Sequence, residues 1–128
     1  LLVVITALAV SPAICEELMF RGCILGLVKT RFGTWGSILF VGILFGLFHL
    51  SIFRIVPTAI LGILLTAITI YTGSIFPAMV IHGINNLTAI IITRLKLESS
   101  LEQYWPVALI MSLVGLLVLF YKKRSEKD

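Results

Sequence analysis

Apolar residues run along this chain in long blocks separated by short polar breaks, not as the one-sided stripes of a soluble amphipathic helix. Five blocks stand out, at about residues 1–28, 35–53, 57–71, 75–93 and 106–121, and each predicts a membrane-embedded helix. The third is short for a hydrocarbon core that takes roughly 20 helical residues to cross. The breaks carry charge and turn signals: Lys29 and Arg31, then Arg54, then Thr72-Gly73-Ser74, then a polar loop over residues 94–103. Pro106 opens the last block, and residues 122–128 read as a solvated charged tail. Within the first block, Ser11 and Pro12 allow two outcomes, a fresh helix capped there or a continuous helix kinked by the proline.

The pattern predicts an all-α, polytopic transmembrane helical bundle of about five segments, one domain over residues 1–121 with no repeat and no linker. Position 1 is Leu, which leads to the expectation of a fragment lacking upstream helices. Composition agrees: 59% of residues are hydrophobic and 12% charged, and the mean hydropathy of +1.14 excludes an ordinary soluble domain. A net charge of +4 raises nucleic acid as a partner, but the basic residues flank the apolar blocks and form no stripe with aromatics. They act as topology signals. Lys29, Arg31, Lys122, Lys123, Arg124 and Lys127 fall on one side and Arg54, Arg94 and Lys96 on the other, which favours a cytoplasmic C-terminus. Short loops point to a bacterial cytoplasmic membrane. Cys15 and Cys23 show no metal-ligand spacing and read as small buried apolar residues.

Against this background the stretch Ile14-Cys15-Glu16-Glu17-Leu18-Met19-Phe20-Arg21 is anomalous. An ionised side chain at the bilayer centre costs about 2.5–3.5 kcal/mol on insertion scales, and three fall within six residues here. Glu17 and Arg21 are spaced i,i+4 with the glutamate first, the favourable order for an ion pair. Glu16 is rotated from Glu17 by roughly 100° and faces elsewhere. A carboxylate without a full partner in low dielectric suits a general base working near neutral pH. The competing reading is structural, with both glutamates straddling Arg21 as a buried ionic lock.

Two later blocks bring further polar groups to membrane depth. Phe45 and His49 are i,i+4 in the second, and His82, Asn85 and Asn86 share a face of the fourth. Three separate unsatisfied intrusions into hydrocarbon are less economical than one shared site. Glutamate, histidine and asparagine together suit water activation and oxyanion stabilisation. Ser51 beside His49 is a weaker candidate nucleophile near a helix end. The zinc-protease motif HExxH is absent, yet Glu16, His49 and His82 would make a two-histidine, one-carboxylate set for a divalent metal such as zinc with a fourth position open for water. Counted along their blocks, His49 and His82 differ in depth by roughly 10 Å, which tilt or a late helix start would have to absorb. Gly42 and Gly46 match GxxxG, a packing motif that serves either a dimer or close contact within one bundle.

The ordered set Glu-Glu-x-x-x-Arg (Glu16, Glu17, Arg21), Phe-x-x-x-His (Phe45, His49) and His-x-x-x-Asn (His82, Asn86) resembles the CPBP family, the type II CAAX prenyl proteases and bacterial Abi intramembrane proteases. The resemblance implies an intramembrane endopeptidase acting on a membrane-associated, CAAX-like and in some cases prenylated substrate. It implies that Glu16 and His49 activate water, that His82 and Asn86 stabilise the oxyanion, that Glu17 and Arg21 brace the site, and that Phe45 lines it. Both a metal-dependent and a metal-independent mechanism are compatible with it. Two other classes compete: a non-catalytic immunity or scaffolding protein of the bacteriocin self-immunity type, and a small proton-coupled transporter, for which the missing internal repeat is unfavourable.

Overall fold

The computed structural model describes residues 2–94, and every regular element within them is helical. The expected fifth block, the loop before it and the charged tail lie outside the described residues. Three helices are long and apolar enough to cross a membrane: α1, Leu2–Phe48; α2, Ile52–Thr72; and α3, Phe76–Arg94.

A straight α1 of 47 residues would reach about 70 Å, more than twice the hydrocarbon thickness. Gly33 resolves the mismatch. Its backbone (φ 65°, ψ −171°) lies in a region open in practice to glycine alone, and it folds α1 into two antiparallel arms. The pairing is visible in the side chains: Phe32 stacks on Phe40 beside the bend, with centroids 5.3 Å apart. Farther along, Phe20 and Leu25 pack with Val41 and Phe45, and Phe20 meets Phe45 and Phe48 edge-on at 5.1 and 5.5 Å. The first arm therefore runs past residue 28, to the bend.

The first arm alternates α-helix with two π-helical stretches, Thr6–Val10 and Leu18–Ile24. Pro12 lies two residues past the end of the first of them, with the chain helical on both sides. No side-chain cap marks a new start, so the continuous alternative holds, with the proline set just past a widened turn. The second π stretch holds Arg21.

The second arm of α1 ends at Phe48, five residues before the expected end, because Leu50 takes a left-handed φ of 50° and Ser51 is extended. Helix α2 starts five residues earlier than expected. Its second turn tolerates Pro57, and the Ser51 carbonyl accepts the first free N–H groups, from Arg54 and Ile55, at 2.9 Å each. At 21 residues it is no longer short. It ends at left-handed Gly73 (φ 68°), and Ser74 caps the next helix by accepting the Phe76 N–H.

Glycine sets how closely α2 approaches the second arm. A Cβ on Gly62 would sit 2.8 Å from the Gly42 carbonyl oxygen, and one on Gly46 would sit 2.6 Å from that of Ile55. The Gly42/Gly46 pair is thus used inside the bundle and is already covered. Helix α3 lies against α2 through Leu61, Leu65, Ala78 and Ile81, and its Gly83 faces Ala13 of the first arm. Cys15 and Cys23 are free and exposed, contrary to the burial expected of them.

Candidate active site

Four helical arms converge on the Glu17–Arg21 pair. Arg21 is buried, and its guanidinium donates from Nη1 to Glu17 Oε1 at 2.8 Å, from Nη2 to the Gly62 carbonyl at 2.8 Å and from Nε to Thr66 Oγ1 at 3.3 Å. Its cationic face lies 4.6 Å from the Phe45 ring centroid. Charge, hydrogen bonding and aromatic contact are thus all supplied by the protein, as a cation in hydrocarbon requires.

Glu17 is fully buried, and its Oε1 accepts a second hydrogen bond at 2.9 Å from His82 Nδ1 of α3. A carboxylate beside Arg21 can only accept, so Nδ1 carries the proton in this bond. The His82 ring also stands edge-on to Phe45, centroids 5.5 Å apart. Its other nitrogen, Nε2, is left facing Glu16, whose Oε2 lies 3.9 Å away. That distance is an ionic contact and too long for a hydrogen bond. Glu16 Oε2 and Glu17 Oε2 are both buried without a hydrogen-bond partner among the described residues. The Glu16 side chain is 24% exposed where that of Glu17 is 0%. Adjacent in sequence, the two glutamates thus stand in different environments, one locked by Arg21 and His82 and one partly exposed.

The remaining expected residues are placed less centrally. His49 caps the second arm, its Nδ1 2.9 Å from the Phe45 carbonyl and its ring packed on that of Phe45 at 5.0 Å. Among the described residues it makes no hydrogen bond or ion pair with Glu16 or His82. His82 packs against Phe45 itself, one turn before His49, so part of the expected depth offset persists in the structure. Asn85 and Asn86 are half-buried and make no side-chain hydrogen bond to the described residues. Ser51 lies in the break between α1 and α2. No group of three or more His, Cys, Asp or Glu is arranged to hold a metal ion among the described residues.

Thr66 and Gly62 were not anticipated. A buried threonine in an apolar helix carries no sequence signal, since its hydroxyl commonly bonds the carbonyl four residues back, as Thr66 does to Gly62 at 2.7 Å.

The family model of the Rce1-like type II CAAX prenyl endopeptidases matches residues 1–88, which hold α1, α2 and all three polar motifs. The chain belongs to this family. Comparisons with curated proteins and with solved structures find no match. Membership in a CAAX endopeptidase family, together with three helices of crossing length, makes the chain an integral membrane protein of a protease family whose substrates are membrane-associated peptides.

Proposed function

We propose that this chain is an intramembrane endopeptidase that hydrolyses CAAX-like, membrane-associated peptides with a water activated by Glu16. One observation carries the reading: Glu16 Oε2 and His82 Nε2 face each other at 3.9 Å, free of other hydrogen bonds among the described residues, beside a Glu17–Arg21 pair that is already satisfied.

Charge supports the assignment of roles. Glu16, Glu17 and Arg21 together carry one net negative charge, and a net charge is costly in low dielectric. A proton on His82 makes the cluster neutral, with Nδ1–H donating to Glu17 and Nε2–H on the side of Glu16. In that state Glu16 accepts a proton from water as its oxygen attacks the scissile carbonyl carbon, and Nε2–H donates to the oxyanion that forms. Glu16 then returns its proton to the departing amine as the C–N bond breaks. Asn86, one turn beyond His82, offers a second donor to the oxyanion. His49, whose Nδ1–H points at the Phe45 carbonyl, keeps Nε2 as an acceptor able to hold the water.

The test is cleavage by the purified protein in lipid nanodiscs of prenylated and unprenylated CAAX peptides and of a hydrophobic peptide library, read by mass spectrometry. Glu16→Gln, His49→Ala and His82→Ala are compared with the wild type after their helix content is verified. Activity lost in each folded variant supports the shared site. Cleavage surviving Glu16→Gln would refute the glutamate mechanism.

A further inference from the structure

We infer that Thr66 is a positioning residue of this site, acting on His82 through Arg21 and Glu17. Such a role presupposes the catalytic reading given above and extends it to a residue outside the three motifs.

A guanidinium has five N–H donors in a rigid plane, and inside a dry bundle its orientation follows from the acceptors around it. Two of those acceptors come from α2. The Gly62 carbonyl receives Nη2–H at 2.8 Å and Thr66 Oγ1 receives Nε–H at 3.3 Å. Thr66 can accept because its own proton is committed elsewhere, to the same Gly62 carbonyl at 2.7 Å. A hydroxyl does both at once: it gives its proton to the helix and turns a lone pair towards the cation. Valine and alanine do neither.

This seat fixes the plane of Arg21 and so directs Nη1 at Glu17 Oε1. The same oxygen receives Nδ1–H of His82. A chain of three side chains therefore runs from Thr66 to the ring, and it ends by presenting Nε2 to Glu16. Thr66 is fully buried and hydrogen-bonds to Arg21 and Gly62 but to neither Glu16 nor His82, so it acts through the others. The arrangement needs glycine at position 62, since a Cβ there would meet the Gly42 carbonyl at 2.8 Å and hold the acceptor pair away.

The experiment combines kinetics with 15N-histidine spectra of the full protein in nanodiscs, with the His82 signals identified as those lost in His82→Gln. Thr66→Val is expected to lower kcat about tenfold, the range for one hydrogen bond to a charged group, with KM within about twofold. Its His82 spectrum is expected to change from an Nδ1-protonated ring to a mixture protonated at either nitrogen. Thr66→Ser restores both. If Thr66→Val does not fold, Thr66→Ala replaces it in the same comparison. A hydroxyl-free variant with wild-type kcat and spectrum, or one that loses kcat with an unchanged His82 spectrum, would overturn the role. Wild-type cleavage by Glu16→Gln would instead remove the catalytic reading, while the His82 spectrum would still decide whether Thr66 orients the ring.

Discussion

Replacing Arg21 with methionine keeps much of the side chain's length and removes its charge. Three hydrogen bonds and the stacking on Phe45 are lost together. The larger effect falls on what remains. Glu17 is fully buried, its Oε2 has no hydrogen-bond partner, and its Oε1 is left with His82 alone. Removing one member of a buried ion pair typically costs about 3–5 kcal/mol because the other charge stays behind uncompensated, and Arg21→Met is expected in that range. The double variant Arg21→Met/Glu17→Gln removes the stranded charge, and an amide oxygen can still accept from His82. It is expected to recover at least about 2 kcal/mol of the loss, the signature of a directly coupled pair. Equilibrium unfolding in mixed micelles, followed by circular dichroism, measures both. A loss below about 1 kcal/mol in the single variant, or no recovery in the double, would refute the claim that this pair is the buried brace of the bundle.

Other positions give independent checks by the same unfolding measurement. Gly62→Ala puts a Cβ 2.8 Å from the Gly42 carbonyl oxygen, and the overpacking is expected to destabilise the protein by roughly 1–3 kcal/mol. Gly33→Ala forces a Cβ into the backbone conformation that folds α1 back on itself, and a cost of about 1–3 kcal/mol is expected. Leu50→Gly relieves the left-handed strain at the α1–α2 junction, where the leucine is 92% exposed, and is expected to stabilise by about 1 kcal/mol.

The membrane character, the polar break after the first block and the i,i+4 pairing of Glu17 with Arg21 were legible because each follows from local spacing. Separating Glu16 from Glu17 was also within reach, since adjacent helical residues cannot share a face. The backbone details were not. Gly33 reads as one more glycine near charged residues, although its conformation makes the hairpin. The end of the second block and the start of the third were shifted because Ile52 and Phe53 read as a continuation of the second block, while the break is made by the backbone at Leu50 and Ser51. Pro57 looked like a start where it is an early interior position. Thr66 and the Gly62 carbonyl were invisible, since their role depends on which face of α2 meets Arg21, a fact of packing. The two readings of Gly42 and Gly46 could be separated only once α2 was seen against them.

The central claim is that two adjacent glutamates do different work, Glu17 holding the bundle together and Glu16 carrying out the chemistry. Single-turnover cleavage of a CAAX-type peptide, measured beside unfolding free energy for Glu16→Gln and Glu17→Gln, tests it most directly. Glu16→Gln is expected to lower the cleavage rate by about 10²–10⁴-fold, the usual contribution of a general base, with stability within about 1 kcal/mol of the wild type. Glu17→Gln is expected to lose about 3–5 kcal/mol of stability, since Arg21 would be left buried without its counter-charge. Wild-type cleavage by Glu16→Gln, or equal losses of stability in the two variants, would contradict the division of labour.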